Sequence, residues 1–394
     1  MDEVNSTAAP ETAVSQGSWR RLFLLGSLTA ALLLSPLRGE TVALIVLLTL
    51  ILLHEAGHYT VARACRMRVE QFFVGFGPVV WSIHRRGIEY GIKAIPLGGY
   101  VKIAGMTEDD AGAKNGYQRS SRLKKTAVVA AGPATNLLIA LLVAFATLFL
   151  VGLPTANNKV DTIDPRLGAA AAGIRPGDVI VSANGKMVDS FDDLGEQVDL
   201  VGPGREIEVV VERGGLRYMY PVAILEDAGR ARIGVRAETV YETLTFQESV
   251  SGSIDTVNGV VVNSLKGIKA LAGGIGGLVA GLFGEEVDPQ SRPLSPVGAV
   301  QIGAEVGGTS LFNAMELIMV YSTFLAVFNL LPLLPLDGGR IAVVAIEAVA
   351  SAVRRRKVEV SMAVMARFSY GFTMFLLGIG LVAIILDITQ PVLQ

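Results

Sequence analysis

The sequence predicts an α-helical polytopic membrane protein: a four-helix core, a further N-terminal membrane segment, an inserted α+β domain and a membrane-associated β-hairpin region. Three observations predict it. Of 394 residues, 51% are hydrophobic and 18% charged, against roughly 25% charged in soluble domains. Four apolar runs, residues 41–62, 127–151, 311–334 and 368–386, are long enough to cross a bilayer. Between the second and third, residues 152–240 alternate short β-rich pieces, Gly turns and one helical stretch. Cys65 is the only cysteine, which excludes an intrachain disulfide and a Cys-based metal site.

Taken in order, residues 1–18 are small and polar without periodicity and read as a disordered tail. Leu22 to Leu37 follows Arg20 and Arg21, and reads as an additional membrane segment within residues 19–40; a signal-peptide core is the other reading, but no A-x-A cleavage pattern follows. Residues 41–151 form the first half of the core. Within it, FFVGFG, VVWSI, IEYGIKAI and YVKI are strand-like pieces between Gly and Pro, which predicts hairpins at the membrane face. They either pack against the helices or offer an edge to an extended backbone. Residues 241–310 read as an interfacial linker, because Val257 to Phe283 is apolar but glycine-rich and carries Lys266 and Lys269. Residues 311–394 complete the core. Residues 63–125 hold 12 Lys/Arg and residues 335–365 five more, which places both on the cytoplasmic side. Residues 152–310, with 13 Lys/Arg against 21 Asp/Glu, are then expected outside.

The chemistry lies in HEAGH. His54 and His58, four residues apart on a helix, fall on one face, where two imidazoles can share a metal ion while Glu55 reaches its water. Ionisable groups at membrane depth cost roughly 2.5–3.5 kcal/mol each on insertion scales, so three within five residues need a compensating metal or cavity. A catalytic zinc takes three protein ligands and keeps one open position. Asp337, in NLLPLLPLDGG at the end of the third span, lies at the right depth, with Pro332 and Pro335 breaking the helix and Gly338 and Gly339 leaving room. An ordinary Asp-Gly-Gly turn is the bland alternative. His84, in WSIHRRG beside two arginines, is the other possible ligand and reads better as a surface turn residue.

HEAGH, GPATN at Gly132–Asn136, NLLPLLPLDGG at Asn329–Gly339 and the segment FFVGFGPVVW to EYGIKAIPLGGYVKIAGM together resemble the site-2 protease family, best its bacterial RseP-like branch. The resemblance implies one zinc ion on His54, His58 and Asp337, with Glu55 as catalytic base. It also implies substrate-side roles for Asn329, at the substrate or the developing oxyanion, and for Asn136, in a supporting role by packing or polar contact near the site. AAGIRPGDVIVSANGKMV at residues 171–188 similarly resembles a bacterial PDZ domain, with Asn184-Gly185 as a tight turn and FDDLGEQVDLV as the helix beside a peptide groove.

The implied activity is intramembrane hydrolysis of pre-trimmed single-pass membrane proteins, such as anti-sigma factors or signal-peptide remnants. The expected setting is the bacterial inner membrane, with the active site near the cytoplasmic side and the PDZ-like domain outside. Partners are then the substrates, the lipid bilayer and a peptide in the PDZ-like groove, with no nucleic acid. A metal transporter would use intramembrane His and Asp too, but transporters usually repeat their spans and none repeat here. A PDZ scaffold with a structural metal would need four ligands and no base.

Overall fold

A computed structural model describes residues 18–106, 112–227, 229–282, 296–307 and 310–389. The expected tail, apart from Ser18, lies outside these residues. The chain divides into two compact units, one of residues 1–147 and 248–394 and one of residues 148–247.

In the first unit, α1 (Ser18–Leu33) is followed by a turn at Ser35–Pro36 and α2 (Arg38–Ala64). At 16 residues α1 extends about 24 Å, short of the roughly 30 Å hydrocarbon core. It lies against the hairpin that follows: Trp19 meets Trp81 edge-on at 6.1 Å, and Arg21 Nη1 donates to the Val79 carbonyl at 3.2 Å. The hairpin is two long strands, β1 (Val69–Arg85) and β2 (Ile88–Ile103), joined by a turn with Arg86 and Gly87 at positive φ. Each strand is used twice. Residues 71–74 pair on one side with 99–102 and on the other with 89–92, which pair in turn with 81–84. Two strands thus make a sheet four segments wide, with 99–103 at one edge. Gly91 permits this, since a Cβ there would lie 2.4 Å from the Trp81 carbonyl and 2.5 Å from the Phe73 ring.

Helix α3 (Arg122–Ala146) continues through a π-helical turn, Thr147–Val151. Its start is capped by Ser121, whose side chain accepts from the Lys124 N–H, and Pro133 lies inside it. The second half of the unit holds α6 (Phe246–Leu282), α7 (Pro296–Gly307), α8 (Leu311–Asn329), α9 (Asp337–Arg354) and α10 (Met362–Thr389), numbered after the α4 and α5 of the insert. The linker region therefore contains a 37-residue helix, of which Val257 is buried against Ala140 and Ala144 of α3 and Met319 of α8. Phe283 itself is outside the described residues.

Among the described residues, four helices are long and apolar enough to cross a membrane: Arg38–Ala64, Arg122–Val151, Leu311–Asn329 and Met362–Ile385. Each corresponds to one of the four runs read from hydropathy; three begin three to six residues earlier, and one ends short. The third helix stops at Asn329 rather than reaching 334. Residues 330–334 are apolar, but Pro332 has no N–H to continue the ladder and Pro335 biases Leu334 away from helical angles.

The second unit is an α+β fold. Its main sheet runs β10 (Val235–Glu242), β3 (Leu153–Ile163), β4 (Val179–Ala183), β6 (Glu206–Arg213), β7 (Leu216–Ala223), with β5 (Lys186–Met187) beside β4. A separate ribbon pairs β8 (Leu225–Asp227) with β9 (Arg230–Arg232). The Asn184-Gly185 turn between β4 and β5 has both residues at positive φ, 53° and 76°, as the tight hairpin requires. Helix α4 (Gly168–Ala172) is one turn, and α5 (Phe191–Val201) occupies the expected FDDLGEQVDLV. Ser190 and Asp193 form a reciprocal capping box that fixes its start. The core is aliphatic, with Ile180, Val209, Val211, Val222 and Ile224 all fully buried.

Into this core comes one carboxylate. Asp178 is buried and takes Arg213 Nε at 2.6 Å and Nη2 at 2.7 Å, plus the Arg175 N–H at 2.8 Å. Burial pushes its carboxyl up; the guanidinium and the amide more than offset this and hold it below its ordinary value. A lowered folded-state value contributes stability that is present above the unfolded carboxyl near about pH 3.9 and is lost as pH falls through the folded value. The protection factors of the β4 and β6 amides in the whole protein, taken relative to each amide's intrinsic exchange rate at the same pH, are therefore expected to hold down to about pH 4 and to fall below it. Asp178→Asn should lose about 3 kcal/mol of that protection already at pH 7. Unchanged exchange in the variant would show the pair to be dispensable.

Candidate metal centre

His54 and His58 lie on the buried face of α2, and Asp337 is the first residue of α9. Their ligand atoms converge. His54 Nε2 and His58 Nε2 are 3.2 Å apart, and Asp337 Oδ2 lies 3.0 Å from the first and 3.2 Å from the second. Three ligands at roughly 2.0–2.2 Å from one tetrahedral ion sit about 3.3 Å from one another. The triangle thus has the size of a zinc face. The alternative ligand, His84, is exposed beside the hairpin turn and belongs to no such cluster among the described residues.

Close helix contact makes the convergence possible. A Cβ on Gly57 would lie 2.4 Å from Thr135 Oγ1 and 2.6 Å from the Ala131 carbonyl, so α2 and α3 meet backbone to backbone there. One residue further along α3, a Cβ on Gly132 would lie 2.4 Å from His58 Nε2 and 2.6 Å from His54 Nε2. That is close to metal-bonding distance from both, and a side chain at 132 would stand in the ion's place. The donor set and this small cradle fit a first-row divalent cation of zinc's preference. Neither glycine is legible from the H-E-x-x-H spacing; only its place in GPATN marks Gly132.

The imidazoles are held from behind. His58 Nδ1 lies 2.8 Å from the Val128 carbonyl, which can only accept, so this nitrogen carries the proton and Nε2 is bare towards the site. Behind His54 is Asn136, fully buried, with its Nδ2 3.4 Å from His54 Nδ1. Asp337 is positioned by its glycines in a way the sequence does not show. A Cβ on Gly338 would strike the Leu330 and Leu331 carbonyls at 2.1 and 2.3 Å, and one on Gly339 would meet the Leu333–Leu334 peptide at 2.5 Å. The glycines make room for the preceding loop backbone, which folds against the first turn of α9, rather than for the carboxylate. Asp337 also benefits from the positive end of that helix.

Glu55, half-buried, follows His54 and lies against the sheet edge, where a Cβ on Gly99 would sit 3.4 Å from Glu55 Cγ. Asn329 ends α8 half-buried, its Nδ2 donating to the Leu325 carbonyl of its own helix at 2.9 Å. The structure thus brings together His54, Glu55, His58, Asn136 and Asp337, and places Asn329 at the start of the loop that leads to Asp337.

Several proteins similar to this chain are named zinc metalloproteases. The chain is 31% identical to zinc metalloprotease Rip1 of Mycobacterium tuberculosis (strain H37Rv), over 90% of this chain and 98% of that protein. It is 30% identical to the putative zinc metalloprotease all3971 of Nostoc sp., over 89% and 96%, and 31% identical to the putative zinc metalloprotease Atu1380 of Agrobacterium fabrum, over 78% and 85%. The family model described as Peptidase family M50 matches residues 42–376, from the helix that carries HEAGH to the last span, and the chain belongs to that family.

Proposed function

We propose that this chain is an intramembrane zinc endopeptidase that cuts pre-trimmed single-pass membrane proteins in or near their transmembrane segments. The observation that carries the reading is the convergence of His54, His58 and Asp337, with Glu55 beside them, on helices that belong to or adjoin membrane spans. When bound there, zinc supplies Lewis acidity, acidifying water and polarising a peptide carbonyl. Glu55 takes the proton from the attacking water and delivers it to the departing amine. Asn329 contacts the substrate carbonyl once its amide leaves Leu325, and Asn136 has a supporting role near the site.

A transmembrane helix satisfies its own carbonyls, so the substrate must be extended before attack. The sheet edge at 99–103, in contact with Glu55, is suited to hold such a strand. The Lys/Arg distribution supports an active site near the cytoplasmic face of the bacterial inner membrane, with the insert on the other side. The insert reads as a PDZ-like domain. A cavity of about 560 Å³ runs along α5, lined by Ile163, Arg166, Phe191, Leu194, Val198 and Ile233; it serves as a peptide site or as part of a filter that rejects untrimmed substrates.

Glu55→Gln in the detergent-purified protein is expected to keep its zinc and to lose cleavage of a model single-pass substrate by roughly 10²-fold or more. Retained cleavage would remove Glu55 as base, and a wild type without zinc would overturn the metalloprotease reading. Gly132→Ala makes a sharper geometric test. Its methyl group falls between the two Nε2 atoms, where the ion belongs, so zinc content should drop by about tenfold or more. Full zinc occupancy in that variant would place the ion elsewhere.

A further inference from the structure

His54 must present a bare Nε2 to the site, because that atom faces His58 Nε2 at 3.2 Å and Asp337 Oδ2 at 3.0 Å. A neutral imidazole with a bare Nε2 carries its proton on Nδ1, and that proton needs an acceptor. The group found there is the Asn136 side chain. As placed, its Nδ2 faces His54 Nδ1 at 3.4 Å, donor against donor, while its Oδ1 is buried with no hydrogen-bond partner. The oxygen and nitrogen of a carboxamide differ little in shape, and the hydrogen-bond network decides between them. Rotating the amide by half a turn exchanges a repulsive contact for a hydrogen bond from His54 Nδ1–H to Oδ1. The Val128 carbonyl already does the same for His58.

We infer that Asn136 is a positioning residue whose Oδ1 accepts the His54 Nδ1 proton and thereby fixes the tautomer and ring orientation with which His54 binds the metal. The inference rests on the zinc-site reading proposed above. It assigns Asn136 to the ligand rather than to the substrate, in keeping with its complete burial.

The test is zinc affinity, measured on the full-length purified protein by competition with a chromogenic chelator. Asn136→Leu, similar in size but without an acceptor, is expected to bind zinc about 10–100-fold more weakly. Asn136→Asp, which offers oxygens and no N–H, is expected to stay within a few-fold of wild type. A leucine variant with wild-type affinity would overturn the inference. So would an aspartate variant as weak as leucine, since that would make the amide N–H or its packing the useful feature. The chain has three histidines, so ¹⁵N-histidine spectra of the zinc-loaded wild type give a second reading if the aspartate variant does not accumulate. His54 is expected to show a protonated Nδ1, and a bare Nδ1 would overturn the assignment. Failure of the zinc site itself looks different: wild type and His54→Ala would both lack zinc.

Discussion

Two imidazole nitrogens and a carboxylate oxygen, all turned towards one point between packed helices, are the constraint around which this molecule is arranged. Bare lone pairs about 3 Å apart repel one another, and buried polar atoms without partners are costly. A divalent cation would remove both penalties at once. Helix α2 supplies His54 and His58, α9 supplies Asp337, and α3 closes the back with Gly132 and the Val128 carbonyl. The glycines at 57, 132, 338 and 339 each lie where a Cβ would strike backbone or ligand. In a membrane, where apolar surface gives helices little reason to associate, such close approach is a principal source of packing.

How much of this is legible in the sequence follows from how local each feature is. The spacing of His54 and His58 is a property of one helix, so it can be read directly. Asp337 needs depth and chain direction as well, which hydropathy and charge provide. The Val128 carbonyl cannot be read at all, because every residue has one and only the packing of α3 against α2 selects it. The same holds for Gly57 and Gly132, whose reason for being glycine lies on the neighbouring helix. Hydropathy overestimates the end of α8 because it counts Leu330, Leu331, Leu333 and Leu334 as span, while the missing N–H of Pro332 ends the helix earlier.

The sheet beside the site shows the same division. Alternation and glycines mark residues 71–104 as strand-forming, yet nothing in one strand says that 71–74 will be paired on both sides. That double use consumes the hydrogen-bonding capacity of the central segments and leaves polar backbone at the edges, where α1 lies against one and Glu55 against the other. Buried or lipid-facing backbone that is not paired within its own element has to find such partners.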